Sequence, residues 1–179
     1  NRDTAVSHCL FDTIRGAGTT NQLYSDSSAA EGTDTTLTNL VSFDSNGFTL
    51  GATSGFNVSN NSGDDYVAWC CSAPTSESIS ASGSRVASTV KKNVAAGFSI
   101  ATFTVPSTND TNFTIGHGLG VKPSMVIMKK RNAAGAWFVW HQNLSNDSYY
   151  LYLQENFGEG GLTQDTRIWG QQAFTDTTV

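Results

Sequence analysis

The chain has 179 residues, which is enough for one well-packed domain or two small ones without metal ions or disulfides. Charged residues make up only 14% of it, the formal net charge is -5, and 10 Lys and Arg stand against 15 Asp and Glu. This balance excludes a basic surface that follows nucleic-acid phosphates. A weakly charged composition with 17 Gly favours an extracellular or particle-bound β protein.

Short runs of β-branched and aromatic residues follow one another along the chain, bounded by Gly, Asn, Asp and Ser, with almost no helical periodicity. Such runs predict an all-β fold, and we expect an antiparallel β-sandwich. In chain order they are TLTNLVSFD and GFTLG around a turn at 44–47, YVAWCC (66–71), GFSIATFTV (97–105), NFTIGHGLG, PSMVIMKKR (123–131), AWFVWHQ (136–142) and YYLYLQ (149–154). Residues 74–93 are small and polar, which predicts a long loop or arm with at most a short strand near Val86.

Apolar residues occupy odd and even positions alike in the runs at 123–131 and 136–142. Because successive strand residues point to opposite faces, this pattern predicts that both faces are covered. For the first run the covered residues include Met125 and Ile127. The second run is covered on both faces or has one face in an interface.

The three cysteines predict free thiols rather than disulfides. Three is an odd number, and Cys70 and Cys71 are neighbours that a strand would point to opposite faces. Both lie in an apolar run with no basic neighbour to activate a thiol, so we expect inert packing. Free thiols indicate a chain made in a reducing cytoplasm. No stretch approaches the roughly 20 apolar residues of a membrane helix, so no membrane span is expected.

Two stretches of the sequence align without gaps, which suggests a duplicated unit. KRNAAGAWFVWHQ (130–142) matches the opening NRDTAVSHCLFDT (1–13) in pattern, so that Trp137 falls on His8. Chance similarity between two hairpins is the alternative. If the repeat is real, Asn1 lies inside a longer array. Residues 1–73 are then the C-terminal half of a first β unit, 74–93 the loop or arm, and 94–179 a second unit that is incomplete at its C-terminal end.

Six motifs occur in the order in which a family of virion structural proteins of tailed bacteriophages, often labelled tail fibres, carries them. They are NRDTAVSHCLFDTIRG, SFDSNGFTLG, YVAWCC, AAGFSIATFTV, IGHGLGVKPSMVIMKKR and WFVWHQNL. The chain resembles this family over nearly its whole length. It departs from the pattern at Cys71-Ser72, where Trp-Lys is usual, which puts in doubt any role that rests on those two side chains.

The resemblance implies a lectin-like or jelly-roll β-sandwich with little helix, in a non-enzymatic virion protein made in the cytoplasm of a bacterial host. We expect a tail fibre or adhesin whose partners are other virion proteins, copies of itself (a trimer is favoured) and host-surface polysaccharide. A capsid decoration or head-fibre protein with a purely structural role is the alternative. A polysaccharide-degrading tailspike domain is a third reading.

Aromatic side chains are the candidate binding residues, because aromatic faces stack on the C–H surface of sugar rings. The candidate set is Trp137, Trp140, His141, Tyr149, Tyr150 and Tyr152. A place in the hydrophobic core is the alternative for each residue, and subunit contact in an oligomer is a third use.

The GHGLG motif resembles a catalytic or metal-binding site, but a structural turn explains it better. We expect Gly116, Gly118 and Gly120 to supply positive φ angles while the imidazole of His117 bonds loop backbone. The other two histidines have no paired spacing with His117, so no metal site is predicted. No cofactor is expected either.

Enzymatic chemistry has weak support in the sequence. No G-x-S-x-G nucleophile motif is present. The carboxylate pairs that a glycosidase would need lie in turn sequences, where solvated carboxylates are expected. They are Asp64 with Asp65 and Glu155 with Glu159.

Overall fold

The computed structural model describes residues 5–18, 20–32, 40–51, 62–106, 112–160, 169 and 174–179. Twelve strands lie in this part of the chain. The first six are β1 (Cys9–Leu10), β2 (Leu23–Tyr24), β3 (Leu40–Asp44), β4 (Gly47–Leu50), β5 (Thr75–Ile79) and β6 (Arg85–Val86). The others are β7 (Ser88–Asn93), β8 (Phe98–Phe103), β9 (Thr114–Ile115), β10 (Met125–Lys129), β11 (Trp137–His141) and β12 (Leu151–Tyr152).

The strands form small sheets, and the predicted all-β fold class is confirmed. The strand orders are β1-β2, β3-β4, β5-β7-β8, β6-β9 and β10-β11-β12. Pairing is antiparallel in β1-β2, β3-β4, β5-β7 and β7-β8, whereas β6 and β9 run parallel. Several antiparallel sheets are consistent with the predicted sandwich.

The hairpin of β3 and β4 was predicted from its turn sequence, and the structure confirms it. Asp44 pairs with Gly47, so that Ser45 and Asn46 form a two-residue turn. The turn residues are thus Ser45 and Asn46 rather than the Asn46-Gly47 pair, and Gly47, the first residue of β4, does not have a positive φ angle. Ser and Asn are common in tight turns, because their side chains bond nearby backbone groups.

The short strand expected near Val86 is confirmed as β6, but the rest of 74–93 is not the loop that the sequence predicts, because β5 and β7 lie there. β7 is the central strand of its sheet, and Val90 at its middle is 0% exposed. The Lys92 ammonium forms an ion pair with the Glu77 carboxylate across β5 and β7. Polar Ser and Thr side chains hide the two-residue period in these strands, so pairing with neighbours rather than local pattern fixes them.

Residues 66–71 are not the strand that the sequence predicts. The segment has no regular secondary structure, and Trp69 is 90% exposed. Cys70 and Cys71 are also exposed, so their expected inert packing is wrong. Apolar character alone does not make a strand, because a strand needs a neighbour to accept its backbone hydrogen bonds. The prediction of free thiols is confirmed for all three cysteines.

The covering of both strand faces is confirmed for β11 but is wrong for β10. In β11, Trp137, Val139 and Trp140 are buried, so both faces are covered. In β10, Met125 and Ile127 on one face are 49% and 47% exposed. The apolar pattern of β10 therefore predicts more cover than this single chain provides.

The chain divides into two compact units that interleave along the sequence. Unit 1 is 1–69, 128–138 and 152–156, and unit 2 is 70–127, 139–151 and 157–179. The predicted division into repeated β units at 1–73 and 94–179 stays a prediction. Buried apolar side chains of unit 1 include Leu23, Leu40 and Trp137, and those of unit 2 include Val90, Ile115, Leu119, Val139, Trp140, Tyr150 and Phe174.

Candidate functional site

A network of charges joins distant parts of unit 1, and its side chains are largely buried except for that of Arg131, which is 43% exposed. The Arg15 guanidinium donates to the carboxylates of Asp12 and of Glu31, the latter at 2.9 Å from Nη1 to Oε1. Arg131 Nη2 reaches the other Glu31 oxygen at 2.7 Å. The Arg15 side chain is 5% exposed, and Nη1 and Nη2 also donate to the carbonyls of Asn21 and Leu10. Two cations thus balance two carboxylates, and the network links Arg131 to the segment around Arg15 within unit 1.

The network gave no signal in the sequence. Glu31 and Arg131 lie 100 residues apart. No local spacing rule joins two residues at that separation, and only the fold brings them together.

Trp137 belongs to the core of unit 1 and cannot stack on a sugar. Its ring is buried, and Nε1 donates to the carbonyls of Tyr24 at 2.8 Å and Ser27 at 3.0 Å. The Lys129 ammonium lies 6.0 Å from the ring centroid. Burial lowers the pKa of Lys129, because removal from water disfavours its charged form.

Trp140 and Tyr150 are core residues of unit 2. Trp140 is 2% exposed, and its Nε1 donates to the Asp147 carbonyl at 3.1 Å. The ring of Phe174 packs edge-on against it with centroids 4.3 Å apart. Tyr150 is 3% exposed. The expected sugar-binding platform is therefore wrong for these residues and for Trp137, because buried rings have no face open to a ligand.

The other predicted aromatic and histidine side chains are half-buried and hold local structure. The Tyr152 ring packs against Phe138 within unit 1, with centroids 5.6 Å apart. The Tyr149 ring lies against Gly160, where an added Cβ would come within 3.2 Å of the tyrosine ring. His141 accepts the backbone N–H of Asn143 at Nδ1. The structure thus does not gather the predicted set into one exposed surface.

The GHGLG segment forms a tight connection in unit 2. Gly118 and Gly120 have φ angles of 68° and 72°, as the sequence predicts. Gly116 was wrongly expected to share this conformation. It is required for another reason, since a Cβ there would lie 2.7 Å from Cδ1 of Ile79.

His117 is buried, and its imidazole bonds loop backbone as the structural interpretation expects. Nδ1 accepts the N–H of Leu119 at 3.2 Å, and Nε2 lies 3.3 Å from the carbonyl of Thr175. One accepting and one donating nitrogen describe a neutral ring. Burial lowers the pKa of His117, because it disfavours the charged form, and the Thr175 carbonyl opposes this only in part.

The carboxylate of Glu159 stabilises a turn. It accepts the backbone N–H of Ser145 at 2.9 Å and the Ser145 hydroxyl at 2.6 Å. These hydrogen bonds lower the pKa of Glu159, because they favour the charged form. A general acid needs the opposite shift.

Across the described ranges, no group of three or more His, Cys, Asp or Glu side chains is placed to hold a metal ion. In the same part of the chain, no helix combines the length and apolar character that crossing a membrane requires.

One family model, described as Domain of unknown function (DUF7483), matches residues 1–179. The chain belongs to this family. No curated protein and no solved structure matches it.

The most exposed aromatic side chain among the described residues of this DUF7483 domain is Trp69. It is 90% exposed, and Val67, two residues before it, is 62% exposed. Tryptophan is highly buried on average, so this exposure is unusual. Sequence reasoning missed it, because the apolar run at 66–71 predicts a covered strand.

The thiol of Cys9 differs from the other two in being partly buried. Burial raises the pKa of Cys9 to about 12, and the nearby Asp26 carboxylate adds to the shift. The thiolate is the reactive form of cysteine, so this thiol is inert at neutral pH.

Proposed function

We propose that this DUF7483 domain is a non-enzymatic structural module of a bacteriophage virion. It belongs to a tail fibre or adhesin, where it assembles with copies of itself, as a trimer, and contacts the host surface. The ordered resemblance described above supports the virion context. The exposure of Trp69 carries the assembly part of the proposal.

An exposed tryptophan favours assembly on energetic grounds. Burying an aromatic side chain removes about 150–250 Å² from water. At about 25 cal/mol per Å² this is worth roughly 4–6 kcal/mol before the costs of association. Tryptophan is also enriched among the residues that dominate the energy of protein interfaces. We therefore place Trp69 and Val67 in a contact between copies of this chain.

The oligomeric mass of the full-length protein tests this contact. We expect light scattering on a sizing column to show an oligomer for the wild type and a smaller species for Trp69→Ala. Val94→Ala, which changes another exposed apolar side chain, is the control and should retain the wild-type mass. A monomeric wild type, or an oligomer that Trp69→Ala leaves unchanged, would contradict assembly through this residue.

The virion context has a separate test. Mass spectrometry of purified phage particles should detect the protein, and gold-labelled antibodies against it should mark the tail. Labels on the capsid would favour the head-fibre or decoration role instead. Absence from purified particles would refute the virion proposal.

A further inference from the structure

A cleft lies beside the β6-β9 pair in unit 2. Its volume is about 410 Å³, and its lining includes Ser84, Arg85, Val86, Pro106, Asn112 and Phe113. Small-molecule sites usually have volumes of roughly 300–1,000 Å³ and combine apolar walls with a few polar groups. The cleft has this size and this mixture.

Regular backbone hydrogen bonds hold one wall of the cleft. Ser82 and Arg85 exchange two backbone hydrogen bonds of 3.0 Å around Gly83, whose φ is 59°. β6 then pairs with β9, and the Thr114 N–H donates to the Ser84 carbonyl at 3.0 Å. Sites on such ordered elements hold their side chains more accurately than sites on long loops.

Arg85 is the charged group of the cleft. Its Nε donates to the Ser80 carbonyl at 3.1 Å, which orients the guanidinium. Among the residues that the structure describes, no carboxylate lies within ion-pair distance of Arg85, whereas Arg15 and Arg131 both pair with Glu31. A guanidinium presents two parallel donors to a carboxylate, which a lysine cannot do.

Phe113 and Pro106 add apolar surface beside this cation. The ring of Phe113 is supported by Phe103, with centroids 6.3 Å apart. A pyranose offers apolar C–H faces to such a ring and hydroxyl groups to polar side chains such as Asn112. A sugar that also carries a carboxylate would form an ion pair with the guanidinium of Arg85.

We propose that this cleft binds a carboxylate-bearing sugar, of the uronic acid type found in acidic polysaccharides. This inference rests on the proposed function, since it names the kind of host-surface polymer that the domain recognises. Arg85 binds the carboxylate, and the ring of Phe113 stacks on the C–H face of the sugar. Asn112 and Ser84 bind hydroxyl groups.

Calorimetric titration of the full-length protein with digalacturonate tests the inference, with the carboxyl-reduced disaccharide as the matched neutral ligand. We expect the wild type to bind digalacturonate at least about tenfold more tightly than the carboxyl-reduced disaccharide, since a hydrogen bond to a charged group raises affinity by about that factor. Arg85→Gln should remove this preference. Arg85→Lys keeps the positive charge but loses the two parallel donors of the guanidinium, so it should retain only part of this preference.

Lys130→Gln is the control variant, because it removes one positive charge from an exposed site outside the cleft. Its affinity for digalacturonate should match that of the wild type. The inference is overturned if the wild type binds neither disaccharide, if Arg85→Gln keeps the preference, or if Lys130→Gln loses it equally. Particle labelling reports the virion context independently, so a failure of sugar binding would leave that proposal standing.

Discussion

Replacing Trp140 with alanine should destabilise unit 2 strongly. The side chain is 2% exposed, packs edge-on against Phe174 and donates a hydrogen bond of 3.1 Å to the Asp147 carbonyl. Large-to-small changes of buried aromatic residues cost about 3–5 kcal/mol. Since whole domains are stable by only about 5–15 kcal/mol, this loss is a large share of the total. At about 2–4 °C per kcal/mol for a chain of this size, the melting temperature should fall by about 6–20 °C.

Trp69→Ala is the matched comparison, because it is the same chemical change at a side chain that is 90% exposed. Substitutions at exposed sites usually change stability by no more than about 0.5 kcal/mol. Thermal melts followed by circular dichroism should be run at a protein concentration low enough to dissociate any oligomer. If Trp69→Ala lowers the melting temperature as much as Trp140→Ala does, the assignment of Trp140 to the core and Trp69 to the surface is wrong.

Two further predictions concern the side chains that titrate or react. The folded state holds His117 with a pKa below its unfolded value of about 6.5, so the unfolded chain binds more protons as the pH falls. The free energy of unfolding, measured by urea titration, should therefore be highest above that pH and decrease from pH 7 towards pH 5.5. A His117→Asn variant whose unfolding free energy keeps the same dependence on pH would contradict this cause. Cys70 and Cys71 are exposed, while burial raises the pKa of Cys9 to about 12. An alkylating reagent should thus add two groups quickly under native conditions, as read by mass spectrometry, and rapid labelling of Cys9 would show that its burial is wrong.

The parts of the fold that the sequence predicted are those fixed by local chemistry. The turn at 44–47 consists of Asp, Ser, Asn and Gly, which are typical turn residues, so the local sequence is enough to predict the hairpin of β3 and β4. Dense apolar residues on both faces of β11 likewise predict its burial. The missed strands β5 and β7 depend instead on one another, because their Ser and Thr side chains carry little pattern and their pairing supplies the stability.

The candidate site was harder to predict, because composition does not tell a core aromatic from a binding aromatic. Trp137 and Trp140 share their residue type with Trp69, yet only Trp69 is exposed. The indole N–H groups of the first two reach backbone carbonyls that lie 113 and 7 residues away. Only the first of these contacts depends on distant parts of the chain, but neither can be deduced from the pattern of apolar residues.

The errors in the burial predictions have a common direction. The apolar run at 66–71 and the apolar pattern of β10 both predict covered side chains, and in the single chain Trp69, Met125 and Ile127 are exposed. Where a sequence is apolar beyond the needs of its own fold, the excess commonly marks a binding surface. The assembly proposal covers Trp69 in the oligomer, and we extend it on the same argument to Met125 and Ile127. The β10 residues should then be less accessible there than in the isolated chain, as Trp69 should be.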